Sequence, residues 1–164
     1  MSREESRVKT YITDYLDSRN VSYHIKLHKR PVFTSEDAAR ERGVRLSQIV
    51  KTMLLKDKEG CTLVAVLPGH KRLDLKKLRK ISGQKSLDFM DRKAIEKQFG
   101  VVVGALAPFG PPVEGVPVFI DNLVFKESAV DISSGDPTAG IELMKDDFRR
   151  LLKHATVAEI TKAN

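Results

Sequence analysis

Gln48-Ile-Val-Lys-Thr-Met-Leu-Leu-Lys56, then Asp57-Lys-Glu-Gly60, then Cys61-Thr-Leu-Val-Ala-Val-Leu67 is the stretch that decides the fold. Two apolar runs flank a short segment of turn formers, and that pattern predicts a β-hairpin. Neither run alternates cleanly with polar residues. Both faces must therefore be covered, and the two strands belong at the centre of a sheet. Pro68-Gly69 ends the second strand. Cys61 is expected to be a buried strand residue, with nothing to suggest a reactive thiol. Lys51 is out of character in the first strand. Strand parity places it with Ile49, Met53 and Leu55. A lysine on such a face loses hydration and needs an anionic or hydrogen-bonding partner. A snorkelling side chain or a buried ion pair would satisfy the same requirement without any function.

Towards the N-terminus, Val8, Tyr11, Ile12, Tyr15 and Leu16 form one apolar helical stripe, with Ser2 and Glu5 at capping-box spacing. Val21, Tyr23, Ile25 and Leu27 alternate with polar residues, as in a strand that hides one face. Pro31 marks a turn, and Thr34 or Ser35 caps a helix running to about Arg42. Towards the C-terminus, Asp74 caps a helix with Leu75, Leu78 and Ile81 on one side and lysines on the other. Asp91 caps a further helix that Gly100 ends. A strand at Val101–Val103 is expected next, then a Gly/Pro-rich loop from Gly104 to Pro112. Strands follow at Val116–Asp121, Ala129–Ser133 and Ile141–Met144. Asp146 caps a last helix with Phe148, Leu151 and Leu152 inward, and Val157–Ile160 adds an edge strand. The chain shows no repeat or linker, so residues 1–164 are read as one domain. Its class is α/β or α+β, with a mixed, largely antiparallel sheet flanked by helices.

Composition narrows the function. The 164 residues are 41% hydrophobic and 31% charged, as expected of a soluble globular protein. No apolar run approaches the roughly 18 residues of a membrane span. The N-terminus lacks the apolar core of a signal peptide, and one cysteine cannot form an internal disulfide, so a cytoplasmic protein is expected. The net charge of +7 raises the prior for a polyanionic partner. His70, Lys71, Arg72, Lys76, Lys77, Arg79 and Lys80 crowd into one segment, although a lysine-rich helix face is most often only solvated. No HExxH or CxxC spacing supports a metal site, and no cofactor is expected. No GxSxG elbow, P-loop or GxGxxG is present, which argues against serine hydrolases, NTPases and dinucleotide enzymes.

Two loops add candidate chemistry. Gly104-Ala-Leu-Ala-Pro108 is a GxxxP turn whose amides could converge on an oxyanion or a ribose hydroxyl. Asp131-Ile-Ser-Ser-Gly-Asp-Pro137 could line a pocket at a strand end through Ser133 and Ser134. Each is also explained as an ordinary turn.

Taken in order, five segments resemble the YbaK/EbsC family, the editing deacylases similar to the insertion domain of prolyl-tRNA synthetase. They are Ser35-Glu-Asp-Ala-Ala39, Gln48-Ile-Val-Lys-Thr52, Leu67-Pro-Gly-His-Lys-Arg-Leu-Asp-Leu-Lys-Lys77, Gly104-Ala-Leu-Ala-Pro108, and Ser133-Ser-Gly135 before Ile141-Glu-Leu143. The resemblance implies a barrel-like mixed sheet and a free-standing aminoacyl-tRNA deacylase. It implies that Lys51 contacts the 3′-terminal nucleotide, and that Gly104, Ala105, Leu106, Ala107 and Pro108 hold the terminal ribose and the ester. Thr34, Met53, Ser133, Ser134, Gly135 and Asp136 become candidate substrate contacts. His70, Lys71, Arg72, Lys76, Lys77 and Lys80 become candidate contacts to the acceptor stem. The expected reaction is metal-independent and partly substrate-assisted, because an aminoacyl ester is already reactive. The expected substrates are alanine, serine or cysteine mischarged on tRNA, with proline tRNA as carrier and prolyl-tRNA synthetase as a candidate partner. Some relatives that remove alanine carry a histidine where this chain has Asp136. A tRNA-binding module without turnover, or a regulatory sensor of small amino-acid derivatives, would present the same basic face.

Overall fold

The computed structural model describes residues 8–102 and 104–163. Its helices are α1 (Tyr11–Ser18), α2 (Ser35–Arg42), α3 (Leu75–Ser82), α4 (Arg92–Phe99) and α5 (Lys145–Leu151). Its strands are β1 (His24–Leu27), β2 (Val50–Lys56), β3 (Thr62–Pro68), β4 (Asp88–Phe89), β5 (Val118–Asp121), β6 (Ala129–Ser133), β7 (Ala139–Met144) and β8 (Thr156–Ala158). They form a five-stranded sheet, β4-β2-β3-β5-β8, and a three-stranded sheet, β1-β7-β6. Pairing is antiparallel except at β3–β5 and β5–β8. The two sheets meet at a parallel bridge between Ile49 and Asp131. The expected barrel is therefore not closed: β4 and β8 remain free edges of the larger sheet.

The hairpin sits where its composition requires. β2 and β3 are interior strands paired from Val50–Pro68 to Lys56–Thr62. On one face Leu54, Val64, Val66 and Ile120 join the main core, with Ile12 and Leu16 of α1, Ile132, Ile141 and Phe148. On the other face Leu55, Leu63, Ala65, Leu67 and Phe119 pack under Leu73, Leu78 and Ile160. Covering both faces explains the unbroken apolar runs. Phe148 is fully buried, so truncation to alanine would cost about 3–5 kcal/mol.

Local signals mostly placed the elements, with five differences. The pair Ser2 and Glu5 lies outside the described residues. Thr10 caps α1 in a capping box with Thr13. Cys61 is exposed, because the Asp57 carboxylate accepts its amide and extends the turn to residue 61. Ile81 is exposed, since at 100° per residue it lies about 120° round the helix from Leu75. Val101 and Val102 form no strand, having no ladder partner, and Val103 lies outside the described residues. α5 begins one residue before Asp146 with Met144 at its cap, and Asp146 instead adds negative charge to the first turn. Thr34, Asp74 and Asp91 cap α2, α3 and α4, and Gly100 closes α4.

Candidate active site

The start of α1 pins two loops side by side. The Tyr11 hydroxyl donates to the Ala105 carbonyl and accepts from the Ala107 amide, each at 3.2 Å. Thr10 donates to the Ser134 carbonyl. The Ser133 hydroxyl then donates to the Gly104 carbonyl at 2.8 Å, tying the end of β6 to the GxxxP loop. Gly104 adopts φ +93°, a left-handed conformation that glycine takes without steric cost.

These loops border a cavity of about 460 Å³. One wall is β2 with its approach, including Ile49, Lys51, Thr52 and Met53. The entry to α2 supplies Phe33, Thr34 and Glu36, and Arg42 comes from its last turn. Phe89 and Met90 come from β4 and the residue after it. Ile95 of α4 and Gly104, Leu106, Asp131 and Ser133 also line it. Phe33 and Phe89 are largely solvent-exposed, 78% and 50%, and leave apolar rings on the cavity surface.

Of the expected site residues, Lys51, Thr34, Met53, Gly104, Leu106 and Ser133 are brought together here. Lys51 is half-buried and donates to the Lys71 carbonyl at 2.6 Å. Burial pushes its pKa below that of an ordinary lysine; Glu36 opposes that shift and Arg72 adds to it. The cavity therefore holds a partly dehydrated cation, suited to a phosphate or a ribose oxygen.

Other expected residues do different work. The Ala105 amide is taken by the Val102 carbonyl, and the Ala107 amide by Tyr11. Of these three loop amides, only that of Leu106 is without a partner among the described residues. Pro108 borders a separate cavity between α1 and α5. Ser134 is fully buried, its hydroxyl 2.6 Å from the Ala139 carbonyl. Gly135 packs against Thr10, where a Cβ would lie 3.1 Å from that side chain. Asp136 closes an Asx turn by accepting from the Thr138 amide and hydroxyl, and does not line the cavity. Of residues 133–136, Ser134, Gly135 and Asp136 build the loop, and Ser133 reaches the cavity.

The basic segment also divides. His70, Arg72, Lys76 and Lys80 are exposed. Lys71 is buried, and Lys77 is engaged by Glu159 and the Thr161 carbonyl, each at 2.8 Å. The Glu159 bond holds the Lys77 pKa above its ordinary value.

Two residues escaped the sequence reading. Arg42 and Asp131 form an ion pair of 2.6 Å with side chains only 6% and 1% exposed. An aspartate between Val130 and Ile132 on a core strand was the available signal. Metal-ligand geometry is sparse among the described residues. Asp57, Glu59 and Cys61 cluster at the hairpin turn, but one Asp57 oxygen already caps the Glu59 and Cys61 amides. His24 and His28 stand four apart, yet at strand rise that spacing separates them by about 13 Å.

Residues 29–151 match the profile of the aminoacyl-tRNA editing domain. The chain belongs to that family. EbsC of Enterococcus faecalis, provisionally named a Cys-tRNA(Pro)/Cys-tRNA(Cys) deacylase, is 28% identical over 163 residues, 98% of both chains. The prolyl-tRNA editing protein ProX of Acetoanaerobium sticklandii is 29% identical over 143 residues, 84% of this chain and 86% of ProX. Proline–tRNA ligase of Fervidobacterium nodosum is 37% identical over 99 residues, which span 60% of this chain and 17% of the ligase. The editing-domain fold recurs in the crystal structure of protein APE2540, with TM-score 0.83, 22% identity, and 93% and 100% of the two chains covered. No helix among the described residues is long and apolar enough to cross a membrane.

Proposed function

We propose that this protein hydrolyses the ester of mischarged aminoacyl-tRNA in trans, releasing a small amino acid from the 3′ end. Membership of the editing-domain family and the end-to-end match to EbsC support the reaction class. The observation that carries the mechanism is the cavity in which Lys51, the GxxxP loop and Ser133 meet. The ester is already activated, so catalysis requires placement more than strong chemistry. Lys51 holds the terminal nucleotide through a phosphate or ribose oxygen. The Leu106 amide is the loop donor available to the ester carbonyl as negative charge develops on its oxygen. Water, activated by a substrate hydroxyl, attacks the carbonyl carbon, the C–O bond to the ribose breaks, and a proton from that water passes to the departing ribose oxygen, leaving a ribose hydroxyl and the free amino acid. No metal and no covalent enzyme intermediate is required. Leu106 and Met53 narrow the space beside the ester and favour alanine, serine or cysteine, with proline tRNA as carrier.

A panel of proline tRNAs charged with alanine, serine, cysteine, proline or phenylalanine tests this. Small esters should be released at least about tenfold faster than the phenylalanyl ester, the scale on which pockets discriminate by size. Failure of the folded protein to release any of them overturns the proposal.

A further inference from the structure

Among the described residues two aspartates are almost completely buried, and they are treated differently. Asp121 is fully satisfied: one oxygen accepts the Leu123 amide and the other the Ile160 amide, each at 2.9 Å. Asp131 is 1% exposed, and only its Oδ1 is bonded, to Arg42 at 2.6 Å. Its Oδ2 has no hydrogen-bond partner among the described residues. A buried carboxylate oxygen left unpaired is costly, and folded proteins rarely retain one.

That unpaired oxygen is buried, and the residue that carries it lies on the cavity side of β6. Val130 and Ile132 point into the core at 1% and 2% exposure, so Asp131 and Ser133 share the opposite face, and both line the cavity. The arrangement that holds it is built from several elements. Arg42 reaches over from α2, and its Nε lies 3.4 Å from His28 Nε2. His28 Nδ1 lies 2.7 Å from the Arg30 carbonyl. Gly140 on β7 leaves the space for the guanidinium: a Cβ there would lie 2.4 Å from Arg42 Nε and 2.6 Å from Cζ. Arg42 thus fixes the carboxylate through one oxygen and leaves the other without a hydrogen bond. Burial raises the Asp131 pKa and Arg42 opposes that shift, so a cationic donor would relieve the dehydrated group further.

We infer that Asp131 Oδ2 is the anchor for the α-ammonium group of the substrate's amino acid, with Arg42 and Gly140 as its positioning residues. This rests on the proposed deacylation and names the contact within it. Every aminoacyl ester presents a free α-ammonium, whereas a formylated or peptidyl ester presents a neutral amide. The anchor would therefore admit newly charged tRNA and exclude initiator and peptidyl-tRNA, whichever side chain is attached.

Two measurements separate this inference from the reaction itself. The first is binding of a non-hydrolysable amide-linked alanyl-adenosine and of its N-acetylated form, by calorimetry. The second is hydrolysis of alanyl- and N-acetylalanyl-tRNA. Wild type should prefer the free amine at least about tenfold in both, as expected for loss of a charge-assisted hydrogen bond to a buried group. Asp131→Asn should bring both ratios to about one. Gly140→Ala, which displaces Arg42, should reduce them without touching the ligand. Equal binding of the two analogues by wild type overturns the anchor, and this comparison needs no variant to fold. So does a folded Asp131→Asn protein that keeps the preference, or a wild type that binds neither analogue. An amine preference in binding with no hydrolysis of any ester would retain the anchor and reject the deacylase.

Discussion

The ammonium group of Lys51 donates to the main-chain carbonyl of Lys71 at 2.6 Å, joining the N-terminal end of β2 to the segment that leads into α3. A carbonyl offers no countercharge. The nearby charges act in opposite directions, Glu36 favouring the ammonium and Arg72 opposing it, so burial is the largest influence. Lys51 is therefore positioned without being neutralised, and its charge stays available to a ligand.

Replacing Lys51 with alanine should lower kcat/KM roughly 100-fold through lost positioning, with the circular dichroism of the folded protein retained. The pH profile gives a second reading. The folded-state pKa lies below the ordinary 10.5, so between the two values the folded protein binds fewer protons than the unfolded chain. Stability contributed by this group should rise with pH across that window, while affinity for the tRNA end falls as the ammonium is lost. Lys51→Arg stays ionised, so any activity it retains should persist to higher pH. An identical alkaline limb in Lys51→Arg would assign the loss to another group.

The basic segment should separate into two kinds of lysine. Lys76 and Lys80 are exposed, and replacing both with alanine should raise KM and flatten the slope of log KM against log salt by about 1–2. Lys77→Ala should instead lower the melting temperature, because it removes the contacts to Glu159 and the Thr161 carbonyl. Titrations across several salt concentrations, beside thermal melts, distinguish the two. An unchanged salt slope in the double variant would return Lys76 and Lys80 to a solvated face.

Tyr11→Phe removes both hydroxyl bonds to the GxxxP loop and leaves the buried Ala107 amide unsatisfied. The loss should be about 1–3 kcal/mol, observed as a melting temperature lower by about 2–4 °C for each kcal/mol. Because that loop carries Leu106, kcat should fall more than KM rises. A lower melting temperature with unchanged kcat would make the hydroxyl a strut only.

Much of this was determined by the sequence alone. The apolar runs at 48–56 and 61–67 demanded a two-sided core, and Thr34 or Ser35, Asp74 and Asp91 marked helix starts through short polar side chains that satisfy free amides, with the structure selecting Thr34. Lys51 stood out because lysine is expensive on a covered strand. These are local effects, carried within a few residues. Only the tertiary structure decided which of the candidate groups face the cavity. Asp136 and Ser134 turn away to serve their own loop, and Lys77 is claimed by Glu159, a partner 82 residues distant. Arg42 meets Asp131 across 89 residues, and only in the clearance that Gly140 provides. Periodicity cannot report such meetings, because they depend on how two sheets pack and not on any spacing along the chain.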